Sequence, residues 1–563
     1  MTQARTSTAV DAIADDYLDA CIAHDAILAT NIGVPGHDHE LPAYDPDWYE
    51  QRSALRREAL RALDAARAVD ATDRVTVAAL HSQLAAAEEL RELGAEESEV
   101  NNVSGPLVGI REVFDLNATD TADDWHAIAT RMAAVPTSID GFVASLRHAA
   151  ANGHIRSRHQ QGVGVELCKA SAGADGFFAT LARTAQTSDG AELPGSLRAD
   201  LQRNAELAGA AYERLGAFLG TELAPIAPTG HAIGRERYAP FLRSYLGSDV
   251  DIDETYAWGQ REVARIAESM AQTADRIRPG ASVAEAMAAL NDDPARQLDS
   301  PAALQAWMQG RSDDAVAALA DTHFDIPEPI RTLECRIAPS HTGVVYYTAP
   351  SEDLTTRPGR MWWSVPAGVT SFTTWKELTT VYHEGVPGHH LQVAQTIYRS
   401  DVLNRWRRVG SWVSGHGEGW ALYAEQLMAD LGFLDDPGEL LGMLDGQSLR
   451  AARVVLDIGV HCELPAPAEV GGGAWDYDKA WAFLAAHCSA DEGTRRFELD
   501  RYLGWPGQAP SYAIGQRLWT ELRQEMRQRE GDAFELAAFH RRALDVGSVG
   551  LDVLRGAVLG TFD

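Results

Sequence analysis

Long stretches of this chain repeat apolar residues every three or four positions. That is the period of an amphipathic helix and not of a strand. Residues 10–29, 46–68, 73–93, 122–151 and 196–219 are rich in Ala, Leu and Arg, and each predicts a helix that buries one stripe. Residues 1–224 therefore read as a helical lobe that serves as scaffold. The stretch Pro225-Ile226-Ala227-Pro228-Thr229-Gly230 breaks helix and is the expected linker. Residues 231–563 form the second unit, and the two lobes are expected to share one cleft. Helical periodicity returns over 253–276 and 300–309. Residues 332–337, 343–349 and 360–365 are different: short, β-branched or aromatic, and bounded by turn residues. They predict a small antiparallel sheet. The expected class is mainly α, two-lobed, with a cleft bordered by that sheet.

Charge narrows the partners. The 81 acidic residues against 49 basic ones leave a formal net charge of −32. Phosphate backbones and anionic membrane surfaces both call for basic patches, so neither nucleic acid nor membrane is an expected partner. No apolar run of about 20 residues is long enough to span a bilayer. The first residues are polar, and Asp11, Asp15 and Asp16 follow, so no secretory signal is expected. The five cysteines, Cys21, Cys168, Cys335, Cys462 and Cys488, are scattered with no C-x-x-C spacing. They read as reduced thiols, and the expected compartment is the cytoplasm.

The chemistry concentrates in His383-Glu384-Gly385-Val386-Pro387-Gly388-His389-His390. The familiar helical zinc motif is H-E-x-x-H, with both histidines on one face and the glutamate as base. Here Pro387 occupies the fifth position. On an unbroken helix His389, six residues on, would face away from His383, and His390 would lie about 10 Å further along the axis. Pro387 and Gly388 predict a kink or bulge that turns one of the two back beside His383. Either His389 or His390 can be the second ligand on this reading. A third ligand is expected at Glu418, in Gly415-His416-Gly417-Glu418-Gly419-Trp420. Glu425 lies seven residues on, on the same helical face, and the glycines read as the start of a helix over 420–427.

The run from His383 to Gln392, followed by Glu418-Gly419-Trp420-Ala421-Leu422-Tyr423-x-Glu425, resembles the bacterial family of unknown function DUF885. So do Arg357-Pro358-Gly359, Arg450-x-x-Arg453-x-x-x-Asp457-x-x-x-His461, Arg501-Tyr502, Pro506-Gly507-Gln508-Ala509 and Ser511-Tyr512-x-Ile514-Gly515. Two departures are visible: the segment after His461 lacks a tryptophan-containing turn, and Gly471-Gly472-Gly473 fills that spacing.

The resemblance implies the fold of all-helical zinc peptidases such as the Taq-type carboxypeptidases, neurolysin and angiotensin-converting enzyme. It implies one Zn2+ on His383, His389 and Glu418, with His390 and Glu425 behind them or as alternative ligands. Glu384 would be the general base. Tyr512 and His461 would stabilise an oxyanion. Arg360, Arg453 and Arg501 would bind substrate, and a short peptide would be that substrate. Two other readings stay open: a metal-dependent amidase for a non-peptide amide, and a silent peptide-binding protein.

Overall fold

The structure, a computed structural model, describes residues 5–338, 345–366 and 368–562. The first four residues and Gly343, on which a signal-free terminus and a strand start were expected, lie outside the described residues. Twenty-two α-helices account for most of the described chain. Local capping explains their starts. Asp45 accepts from the Trp48 N–H ahead of Pro46–Ala65, Asp70 from Asp73 ahead of Ala71–Glu92, and Thr121 with Asp124 forms a capping box at Ala122–Ala151. The run expected over 10–29 is two helices, Ala9–His24 and Ala26–Asn31. Asp25 divides them, because its carboxylate accepts from Ile27 and Leu28 and caps the second.

Buried apolar side chains form two large clusters. One joins residues between 10 and 84 to residues between 238 and 558. The other lies between residues 44 and 223. The helices Ala9–His24 and Ala71–Glu92 therefore bury their stripes with the C-terminal half, while Ala122–Ala151 and Gly195–Phe218 pack with each other.

Strands β1 (Gln297–Leu298), β2 (Leu333–Ile337), β3 (Val345–Thr348), β4 (Gly359–Trp363) and β5 (Phe372–Thr373) match the region where the helical period stops. The pairings β1–β5 and β3–β4 are antiparallel. The order β2-β4-β3 places β4 in the middle, parallel to β2, because the chain reverses twice before inserting between its predecessors. Leu333, Cys335, Met361 and Trp363 are buried on one face against Leu304, Met308 and Val381. Val381 belongs to the helix α1 (Thr374–Glu384), so the sheet seats the element that carries the first motif histidine. Five further helices complete the surroundings: α2 (His389–Tyr398), α3 (Ser414–Asp430), α4 (Pro437–His461), α5 (Glu492–Gly504) and α6 (Ser511–Glu530).

Candidate metal centre

Helix α1 stops at Glu384. The Gly385 N–H makes its last bond, to Val381 O at 2.9 Å, and Pro387 has no N–H to continue. The Gly388 N–H then reaches back to Tyr382 O at 3.0 Å and the His390 N–H to Gly385 O at 3.1 Å. Helix α2 begins at His389, so the interruption is a complete break, more than the kink or bulge expected. Gly388 is required by close approach: a Cβ there would lie 1.9 Å from His383 O. The Trp420 indole N–H donates to Pro387 O at 2.9 Å and holds the turn. The result sets the His383 and His389 rings 4.8 Å apart and perpendicular.

Glu418 arrives on α3. The glycines expected to mark a helix start lie inside that helix. They permit contact with α6, since a Cβ at Gly419 would lie 2.5 Å from the Gly515 carbonyl carbon. This close crossing also brings Tyr512, one turn before Gly515, toward Glu418, whose charge raises the cost of ionising the already buried phenol.

One ligand atom from each of His383, His389 and Glu418 falls within 4.8 Å of the others. Glu418 Oε2 is 3.4 Å from Nε2 of each histidine. A tetrahedral ion with bonds of about 2.0–2.1 Å separates its ligands by roughly 3.3–3.4 Å. Glu418 Oε2 is buried with no hydrogen-bond partner. His383 Nδ1–H donates to Glu425 Oε1 at 2.7 Å, which leaves Nε2 with its lone pair toward the centre. Glu425 also accepts from Thr379 Oγ1. Burial opposes a charge on His383, but Glu418 and Glu425 outweigh it and push its pKa up to about 9. Glu418 is likewise buried, and the two imidazoles hold its pKa well below the usual range. The carboxylates favour positive charge at this point, and two imidazoles with one carboxylate are a donor set of the kind zinc takes.

His390 points elsewhere. Tyr347 OH donates to its Nδ1 at 3.0 Å, and its Nε2 donates to Ile330 O at 2.9 Å. Burial drives its pKa down to about 4. Both ring nitrogens are committed, so of the two candidates the structure brings His389 to the cluster. Glu384 is buried at the end of α1; burial raises its pKa, and His389 and His383 partly offset that.

Four further expected site residues have partners away from the His383–His389–Glu418 cluster. His461 lies eleven residues beyond Arg450 on α4, roughly 16 Å along the axis. It is stacked on Tyr238, with its Nε2 bonded to Tyr502 O at 2.9 Å. These contacts tie it to the helix that carries Tyr238 and to α5. Arg360 sits on the sheet face opposite the buried one, paired with Glu334 at 2.8 Å. Arg453 and Arg501 do approach Tyr512, their guanidinium carbons 4.8 and 5.8 Å from its ring. Their shorter hydrogen bonds go to Tyr502, Glu498 and Gln508, and Arg501 Nη2 also donates to Tyr512 OH at 3.5 Å, so they hold the tyrosine in place. Two residues with no expected role flank the centre. Trp412 is 50% exposed and 6.0 Å from the His389 ring. The Arg450 guanidinium acts on both Glu384 and Glu425. Arg450 opens the motif that ends at His461; its place one turn before Arg453 was the only available signal.

The chain matches, over residues 27–558, the family described as bacterial protein of unknown function (DUF885). The protein belongs to the DUF885 family. Its fold is that of a candidate lipoprotein from Colwellia psychrerythraea, at TM-score 0.84 and 23% identity, covering 99% of this chain and 100% of that one. A candidate lipoprotein of unknown function from Shewanella oneidensis is also similar, at TM-score 0.72 and 14% identity, covering 98% and 100%. No curated protein matches. Among the described residues of this DUF885 chain, no helix is long and apolar enough to cross a membrane.

Proposed function

We propose that this DUF885 protein is a zinc-dependent hydrolase of short peptides. The observation that carries the reading is the His383–His389–Glu418 cluster, whose 3.4 Å separations match a tetrahedral zinc ligand set, with Glu384 beside it. His383, His389 and Glu418 would hold the ion, and Glu425 would orient His383. A bound Zn2+ supplies a Lewis acid and lowers the pKa of a water to about 7. Glu384 takes a proton from the attacking water and delivers it to the leaving amine. The Tyr512 hydroxyl donates a hydrogen bond to the oxygen that gains charge. Arg453 and Arg501 hold the phenol in place.

The test is metal analysis of the purified chain with a peptide assay before and after chelation. About one equivalent of zinc and chelator-sensitive cleavage are expected. No metal after zinc loading, or cleavage that survives its removal, overturns the reading. Hydrolysis of a non-peptide amide alone moves the assignment to an amidase. All five cysteines are free thiols, which supports a cytoplasmic location. The lipoprotein names of the two similar structures point outward, and cell fractionation decides between them.

A further inference from the structure

Arg450 projects from α4, one turn before Arg453. A Cβ at Gly446 would lie 2.4 Å from Arg450 Nη1, so the side chain runs back along the helix over that glycine. Its head stands 3.9 Å from Glu425 Oε1, beyond hydrogen-bond reach. Glu425 does not need it as a donor, because His383 Nδ1 and Thr379 Oγ1 already occupy its two oxygens. Arg450 Nε is buried with no hydrogen-bond partner. The side chain is nevertheless 21% exposed, so part of the guanidinium remains reachable. The buried Nε is closed to an incoming group, so an acceptor would meet the guanidinium at the exposed part of its head. The other cations near the centre each have side-chain acceptors on their terminal nitrogens or Nε: Arg453 on Tyr502 and Glu498, and Arg501 on Gln508, Glu498 and, at 3.5 Å, Tyr512 OH, although Arg501 Nε is also buried without a partner. Arg360 is held by Glu334 on the sheet.

We infer that Arg450 forms a carboxylate-binding subsite beside the metal centre and takes a free carboxylate of the substrate, from its C-terminus or from an acidic side chain. The planar fork of a guanidinium matches a carboxylate bidentately. The inference rests on the hydrolase reading for the identity of the substrate, but the subsite can be read by binding alone. It would make the protein select among short peptides by charge and not only by length.

The full-length protein is compared with Arg450→Met and Arg450→Lys. The first arm is binding, by calorimetry on the zinc-free protein. The probes are an N-acetyl dipeptide acid, its C-terminal amide, and amide pairs carrying Glu or Gln. Wild type should favour a carboxylate over its neutral partner by about 10- to 100-fold. Whichever pair shows the preference identifies the source. Arg450→Met should abolish the preference while leaving the neutral probe unchanged. Arg450→Lys should recover part of it, as a point charge without the fork. The second arm is hydrolysis by the zinc-loaded protein, where Arg450→Met should raise KM for the preferred acid more than for its neutral partner, whatever common change in kcat follows from the loss of its charge beside Glu384. Equal affinity of wild type for acids and neutral partners overturns the proposal. So does a preference that persists in Arg450→Met, whatever that variant does to thermal stability. If no peptide is cleaved but the preference depends on Arg450, the hydrolase reading fails and the subsite stands.

Discussion

Glu384 carries the sharpest expectation at the scale of single residues. It adjoins a ligand in sequence but belongs to no ion pair of the cluster, so its role can be separated from metal binding. Glu384→Gln should retain zinc and lose turnover by about two to four orders of magnitude, the usual scale of a positioned proton transfer. Metal content and kcat measured on the same preparation decide it, and unchanged turnover removes Glu384 from the mechanism. Tyr512 makes a different kind of contact. A hydrogen bond to a developing oxyanion exists mainly in the transition state, so Tyr512→Phe should lower kcat by roughly 10- to 1000-fold with little change in KM. A rise in KM alone would make the phenol a binding group. Both residues stand out from their motifs as candidates for these roles. For His461 the motif says less, because i, i+4, i+8 spacing from Arg453 fixes a helical face but not how far along that face the centre lies. One arginine among 49 basic residues carries no signal of its own until its place beside Glu425 is known.

Among secondary-structure elements, the Pro-Gly insertion decides whether a centre exists. Separation of His383 from His389 by five residues cannot work on one helix, and the chain solves this by ending α1 and starting α2. The sequence could indicate that the helix is disturbed at Pro387. It could not indicate a complete break, since that depends on Trp420 holding the turn from another helix. The glycines around Glu418 show the same limit of local signals, since they lie within α3. Glycine signals a helix end when only local preference counts, but here the contact between α3 and α6 outweighs the propensity cost. These contacts lead to a prediction. Gly388→Ala places a methyl 1.9 Å from His383 O, so the turn must shift. The variant should lose about 1–3 kcal/mol of stability and most of its zinc affinity. Gly162→Ala, with nothing within 4 Å on an ordinary helix, should be neutral or slightly stabilising. Denaturant midpoints and zinc titrations of both test this. A Gly388→Ala protein that binds zinc as wild type does would show that the break tolerates a side chain.

For the whole molecule, the helical class was legible in the apolar period, because dozens of local repeats agree on it. The way the cores divide was not, since periodicity gives each helix a buried stripe without naming the partner; the N-terminal helices Ala9–His24 and Ala71–Glu92 join the C-terminal core. Asp457 offers a test of how that assembly is held. It lies on α4, 1% exposed, and its Oδ1 accepts from Tyr238 OH at 2.6 Å and from the Gly507 N–H at 2.9 Å. It thereby ties together the helix Arg235–Leu246, α4 and the turn before α6. Its Oδ2 is buried without a partner, which favours a proton there. Burial raises its pKa to about 7, against the bonds from Tyr238 and Gly507 and the charge of Arg501. The folded value is above the unfolded value of 3.8, so the stabilising contribution is complete below about pH 4 and is lost as pH rises toward 7. The neighbouring His461, with its pKa lowered to about 4 by burial, is neutral over most of that window and does not compensate. Asp457→Asn keeps the accepting oxygen and removes the titration. The variant should match or exceed wild type at pH 8, by up to a few kcal/mol, and that advantage should shrink toward pH 5. Urea unfolding at pH 5, 6.5 and 8 measures it. A variant that is destabilised equally at all three would mean that Asp457 is ionised in the folded protein and that its charge holds the three segments together.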